Sequence, residues 1–212
     1  MKNSIKYILS LSFIALAIGT CIKVSSSYSF TSQVFANEEV NEPQEESCTV
    51  MYVGKSVSEN GLPIMARTGD GKHSLIYHNV KVYEENEFSS KVMKGKNGFT
   101  WDMPKHTYRF TGFPRSKSVD TSEYWCVSTM NDEGLAVSAT LSCVSDEDRV
   151  LEYDPFIATG ITEDNIAALL TATCSTARGA MEYLANVIDI KGSGEANIVL
   201  AIDQNEAWLM EI

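Results

Sequence analysis

Two changes of hydrophobic period divide the chain after residue 47 and limit what it can fold into. Up to residue 141 the apolar residues come in short runs with strand character, separated by turn residues. Between 161 and 191 they recur at helical spacing, and beyond 195 short strand-like runs return. The runs at 48–53, 63–67, 75–83, 107–113, 124–129 and 135–141 read as strands, as do 196–202 and 207–212. Asn60-Gly61 and Asn97-Gly98 mark turns, and Asn131-Asp132-Glu133-Gly134 links two runs as a hairpin. Residues 84–106 read as a loop. Thr162 is the expected N-cap of a first helix, with Glu163 and Asp164 suiting its positive start. Ile161 and Ile166 are spaced for a hydrophobic staple. A second helix is expected from about Ser175, with Ala177, Met181, Leu184 and Ile188 on its core face and Gly192 and Gly194 ending it. Strands, then helices, then strands predict an α+β fold with helices on a mostly antiparallel sheet.

The segment ahead of this region reads differently. Lys2 and Lys6 precede an apolar run, 7–18, that is short for a membrane span, and a Ser/Thr-rich tail ends in Val34-Phe35-Ala36. This is the pattern of a secretory signal peptide over 1–36, with an uncleaved anchor as the alternative. Residues 37–47, NEEVNEPQEES, carry five Glu and one Pro. Such a stretch lacks the apolar area to order itself and reads as a spacer or a propeptide. Secretion or display at the cell surface follows, with no stable membrane partner once the signal is removed.

A formal net charge of -11 argues against nucleic acid as a partner, because phosphates must be met by Lys and Arg. The five cysteines, Cys21, Cys48, Cys126, Cys143 and Cys174, form no C-x-x-C pair. His73, His78 and His106 lack zinc-ligand spacing, so no metal or other cofactor is predicted. Cys126, Cys143 and Cys174 lie among apolar residues and read as buried thiols, with a disulfide as the alternative in a secreted chain.

The chemistry centres on Cys48. A cut between Ser47 and Cys48 would free an α-amine beside the thiol. The ordinary pKa values of the two groups, about 7.7–8.0 and about 8.5, let a proton pass between them near neutral pH. One residue would then supply both nucleophile and base. The run Cys48-Thr49-Val50-Met51-Tyr52-Val53-Gly54-Lys55, followed by Met65-Ala66-Arg67-Thr68-Gly69-Asp70-Gly71, resembles the start of the C69 dipeptidases. These belong to the N-terminal-nucleophile hydrolases and are related to penicillin and bile-salt acylases. The resemblance continues through residues 130–140, Asp154-Pro155-Phe156, 160–164, Thr176-Ala177-Arg178 and 207–212.

The resemblance implies an αββα layered fold, incomplete here, because chains of the family usually run more than twice as long. Residues 48–212 would be the N-terminal part of that domain. It implies Cys48 as the nucleophile, Arg67 as the cation beside the thiol, Asp70 as the acid that orients the freed amine, and Asn131 as an oxyanion donor. Asn197 matches a second polar group near the substrate only loosely. Taken singly, Arg67 and Asp70 also read as a surface ion pair, and Asn131 as a turn residue. The expected activity is hydrolysis of short peptides. An acylase for penicillin-like or bile-salt-like amides and a noncatalytic surface-binding fragment are the alternatives. Homo-oligomerisation stays open.

Overall fold

Strand β7 (Cys126–Asn131) turns through Asp132–Gly134 into β8 (Ala136–Thr140), and this hairpin lies at the centre of the sheet. Gly134, with φ +84°, sits where the turn needs the left-handed region. The computed structural model describes residues 47–70, 80–114, 126–141 and 147–212. The expected signal peptide and propeptide therefore lie outside the described residues, apart from Ser47. Cys21, Cys143, His73, His78 and residues 75–79 and 124–125 of the expected strands lie outside them as well.

Among the described residues the main sheet has six strands in the order β10-β9-β8-β7-β6-β3, each pair antiparallel. Here β3 is Lys81–Tyr83, β6 Phe110–Pro114, β9 Ile198–Ile202 and β10 Ala207–Glu211. A separate hairpin joins β1 (Ser47–Val53) to β2 (Ile64–Asp70), and a third small sheet pairs β4 (Val92–Lys94) with β5 (Thr100–Asp102). Three helices are described: α1 (Glu147–Tyr153), α2 (Glu163–Thr173) and α3 (Ala177–Lys191).

Strand alternation sorts the side chains of β8 and β9 onto two faces. Val137, Ala139, Val199 and Ala201 join the large core under α2 and α3, together with Ile166, Leu169, Leu170, Leu184 and Val187. Each such fully buried aliphatic side chain contributes about 1.5–3 kcal/mol relative to exposure. On the opposite face Ala136, Leu200 and Ile202 meet Val50 and Met65 of the β1–β2 hairpin. The result is a helix layer, a six-stranded sheet and a second, two-stranded β layer. This agrees with the α+β class predicted from the period changes.

Both long helices begin where the sequence indicates. Thr176 caps α3 by accepting from Gly179 N at 3.2 Å, and Gly192, with φ 75°, ends that helix. Ala177, Met181 and Leu184 are buried, and Ile188 packs against them. Two elements depart from the reading. The stretch 84–106 is not all loop: β4 and β5 flank the Asn97-Gly98 turn, with Met93 and Phe99 wholly buried. Three-residue strands are too short to show alternation, so the turn was visible and the strands were not. Helix α1 was also missed. Val150 and Tyr153 on it are exposed, so it carries no apolar stripe to read.

Candidate active site

The pairing of β1 with β2 sets Cys48 opposite Gly69, Val50 opposite Arg67, and Ser47 opposite Asp70. Residues 48 and 50 share a face, and so do their cross-strand neighbours, so Arg67 lies diagonal to the thiol. The guanidinium covers that distance: Arg67 Nη2 donates to Cys48 Sγ at 2.8 Å. The same nitrogen donates to Glu163 Oε1 at 2.6 Å. The Arg67 and Glu163 side chains are only 8% and 5% exposed, so this ion pair is sheltered from water, while Cys48 is half-buried. A cation against a thiol favours its ionised form, and a carboxylate on the same cation offsets that effect.

Glu163 is the first residue of α2, and the surrounding loops hold it in place. Residues 157–161 run beside 192–194: Ile157 N donates to Ser193 O, Ile161 N to Gly192 O, and Gly194 N to Ile161 O. A Cβ on Gly160 would come 2.5 Å from the Ser193 carbonyl carbon, so only glycine permits this approach. Asn97 Nδ2 ties the same loop to the β4–β5 turn by donating to Ala158 O and Gly160 O. The loop contact brings Glu195 to the helix start, where its Oε1 accepts from Glu163 N at 2.6 Å. Thr162 occupies the expected N-cap position but makes no side-chain cap bond. The Glu195 carboxylate, arriving from a distant loop, does that work and also suits the positive helix end.

The structure thus brings Cys48 and Arg67 together and adds two acids, Glu163 and Glu195, that sequence reasoning did not assign to the site. Glu163 was visible only as a helix-start acid; nothing local signalled that Arg67 would reach it. The Asp70 backbone lies opposite Ser47, beside the bond expected to be cut, and its side chain falls outside the described part of the structure.

Asn131, the last residue of β7, lines the cavity described below. Its Nδ2 donates to Thr171 O at 2.9 Å and Cys174 O at 2.8 Å, and its Oδ1 accepts from Leu135 N at 3.0 Å. The two carbonyls lie at the C-terminal end of α2, Thr171 about 12 Å along the helix from Glu163, and Leu135 N lies at the β7–β8 turn. Both amide hydrogens are engaged, so in this arrangement Asn131 has none to offer an oxyanion at Cys48. It clasps the orphan carbonyls of the helix end to the β7–β8 turn. Asn197 is buried, exchanges backbone bonds with Ile212, and donates from Nδ2 to Glu195 O at 3.4 Å. That bond connects it to the thiol by way of Glu195, Glu163 and Arg67.

A cavity of about 780 Å³ lies between the hairpin and the main sheet, lined by Met65, Phe113, Met130, Asp132, Ile202 and Gln204 among others. Met65 pairs with Tyr52, four residues along β1 from Cys48, or about 13 Å. Cys48 does not line this cavity.

Residues 47–212 match peptidase family C69. The chain belongs to peptidase family C69. Among its relatives, a probable dipeptidase B of Streptococcus pyogenes serotype M3 is 29% identical over 170 residues, covering 78% of this chain and 33% of that one. A probable dipeptidase of Latilactobacillus sakei is 31% identical over 170 residues, covering 78% and 35%. A probable dipeptidase of Salmonella dublin is 31% identical over 171 residues, covering 78% and 38%. This C69 chain therefore spans about a third of the length of the relatives it matches. Among solved structures, a penicillin V acylase from Agrobacterium tumefaciens aligns with a TM-score of 0.41 at 15% identity, covering 78% of this chain and 49% of that one. The C69 match begins at Ser47, one residue before the thiol that Arg67 contacts.

Proposed function

We propose that this C69 chain is the nucleophile-bearing part of an exported cysteine dipeptidase that hydrolyses short peptides through a Cys48 thioester. The observation that carries the reading is the 2.8 Å contact between Arg67 Nη2 and Cys48 Sγ at the second residue of the family match. Family membership supports peptide-bond hydrolysis, and the leader-like residues 1–36 support export.

In this reading, scission after Ser47 frees the Cys48 α-amine. The amine takes the thiol proton, and the thiolate attacks the substrate carbonyl. The tetrahedral adduct collapses as the carbon–nitrogen bond breaks, and the leaving amine takes up a proton from the α-ammonium. Water, deprotonated by the same amine, then cleaves the thioester and restores the thiol. Arg67 stabilises the sulfur as it gains charge. Asp70 is proposed to orient the freed amine, which the register of Ser47 with Asp70 supports. Asn131 is left out of the chemical step because its amide hydrogens are engaged.

The test is the N-terminal residue and intact mass of the protein secreted by its natural host, followed by turnover of a dipeptide panel beside penicillin-like and bile-salt-like amides. The reading expects Cys48 at the N-terminus and cleavage of dipeptides. Preference for the acyl amides would move the assignment to an acylase with the same nucleophile. An active product with Cys48 internal to the chain would end the mechanism.

A further inference from the structure

The Asn97-Gly98 pair marks a turn in the sequence, and the proposed chemistry gives it no part. The Asn97 side chain nevertheless reaches beyond its turn. Its Oδ1 stays local and accepts from Phe99 N at 3.2 Å. Its Nδ2 donates to Ala158 O at 3.0 Å and to Gly160 O at 2.7 Å, 61 and 63 residues further along the chain. The same nitrogen lies against a second loop: a Cβ on Gly194 would stand 3.1 Å from it and 3.0 Å from Thr162 Cγ2. Asn97 therefore sits where residues 157–161 and 192–194 meet. The first of these loops runs through Thr162 into Glu163, and the second runs into Glu195. We propose that Asn97 is a positioning residue that clasps the two loops so that Glu163 meets Arg67 beside Cys48.

The backbone bonds between the loops use the carbonyls of Ile161, Gly192 and Ser193. The carbonyls of Ala158 and Gly160 go to Asn97, whose primary amide has two N–H donors and can serve both at once. Gly160 stands three residues before Glu163, whose carboxylate meets Arg67 at 2.6 Å and takes a nearly sealed place. Such a bond weakens steeply as its geometry degrades, so a small drift of the loop is felt at the pair. Lys96, next to Asn97, adds a second link from the same turn to the helix start, at 3.9 Å from Asp164 Oδ2. Its side chain is exposed, and a pair of that kind contributes little. Asn97 acts through Glu163 and Arg67. The inference rests on the reading of Cys48 as nucleophile for its meaning in catalysis, and on the loop geometry for its physics.

The experiment is a double-mutant cycle on the full-length chain, read as urea unfolding midpoints. Asn97→Asp keeps the acceptor for Phe99 N and removes the donor to the two carbonyls. Sites that are not coupled give additive losses, so a residue that merely stabilises its own turn would leave the effect of Glu163→Gln untouched. Glu163→Gln is expected to lower the midpoint in the wild-type background, and to lower it by at most about half as much once Asn97→Asp is present. Equal losses in the two backgrounds, zero included, would overturn the proposal. Asn97→Ala takes the same place in the cycle if Asn97→Asp does not fold. Turnover is the second readout. Where the wild type cleaves dipeptides, Asn97→Asp is expected to lower kcat about tenfold with KM within about twofold, because the clasp places a neighbour of the thiol and holds no substrate. An unchanged kcat would overturn the proposal as well. A wild-type protein that cleaves no dipeptide removes the functional reading, and the cycle then decides the proposal by itself.

Discussion

Arg67 and Glu163 stand 96 residues apart in sequence, one on a strand and one at the start of a helix, and meet at 2.6 Å with both side chains nearly excluded from solvent. Breaking such a pair leaves one buried charge without its counterion. Arg67→Ala is expected to lower the unfolding free energy by about 3–5 kcal/mol. Replacing both partners with apolar residues of similar volume, Arg67→Met with Glu163→Leu, should recover most of that loss. Urea titrations of the two variants check the pair. A single variant as stable as wild type would show that the pair contributes nothing to stability.

Cys48→Ala is expected to abolish hydrolysis while leaving the fold intact. The side chain is half-buried at the start of a hairpin and fills little of the core. Turnover measured beside a thermal melt decides the matter. A folded Cys48→Ala protein that still cleaves dipeptides is incompatible with the proposed mechanism.

Asn131→Ala removes three hydrogen bonds at once and leaves Leu135 N, Thr171 O and Cys174 O without their partner. Each such buried group costs about 1–3 kcal/mol when unsatisfied. The variant is therefore expected to lose several degrees in melting temperature, with any fall in turnover tracking that loss. Unchanged stability with reduced turnover would return Asn131 to the chemical step.

Asp203 links the turn between β9 and β10 to the start of α3. Burial alone would push its carboxyl up. Backbone donors at Ala177, Asn205 and Glu206, with help from Lys55, outweigh that effect and hold it below the usual carboxylate value. A lowered folded-state value means that Asp203 contributes stability above the unfolded-state pKa of about 3.9, and that the contribution fades as pH falls through the folded value. Asp203→Asn should be clearly less stable than wild type at pH 7, and the gap should close below about pH 4. Chemical denaturation at both pH values tests the sign; a gap that persists at low pH would point to packing instead.

The described thiols should differ sharply in reactivity. Burial pushes Cys126 up to about 11 and also raises Cys174, in each case against an opposing hydrogen bond, from Tyr83 and Thr173 respectively. In the native protein at pH 8, both are expected to resist iodoacetamide while Cys48 is labelled, and all three should react once urea unfolds the chain. Peptide mapping after a short pulse reads the order directly. Native-state labelling of Cys126 ahead of Cys48 would contradict the environments described above.

The strand–helix–strand order, both long helices with their core stripes, and the hairpin that carries Cys48 and Arg67 are all legible in the sequence of residues. These follow from hydrophobic period, turn dipeptides and capping residues, all local along the chain. The short β4 and β5 and the exposed α1 escaped it because their signals are too brief or too polar. Which charges share the thiol's corner follows from the packing of the layers alone. Glu163 reaches Arg67 because two loops close on each other without side chains at Gly160 and Gly194, and the Asn131 amide is spent on the carbonyls of Thr171 and Cys174. Contacts between residues so far apart in the chain depend on how layers stack, and no local pattern encodes that distance.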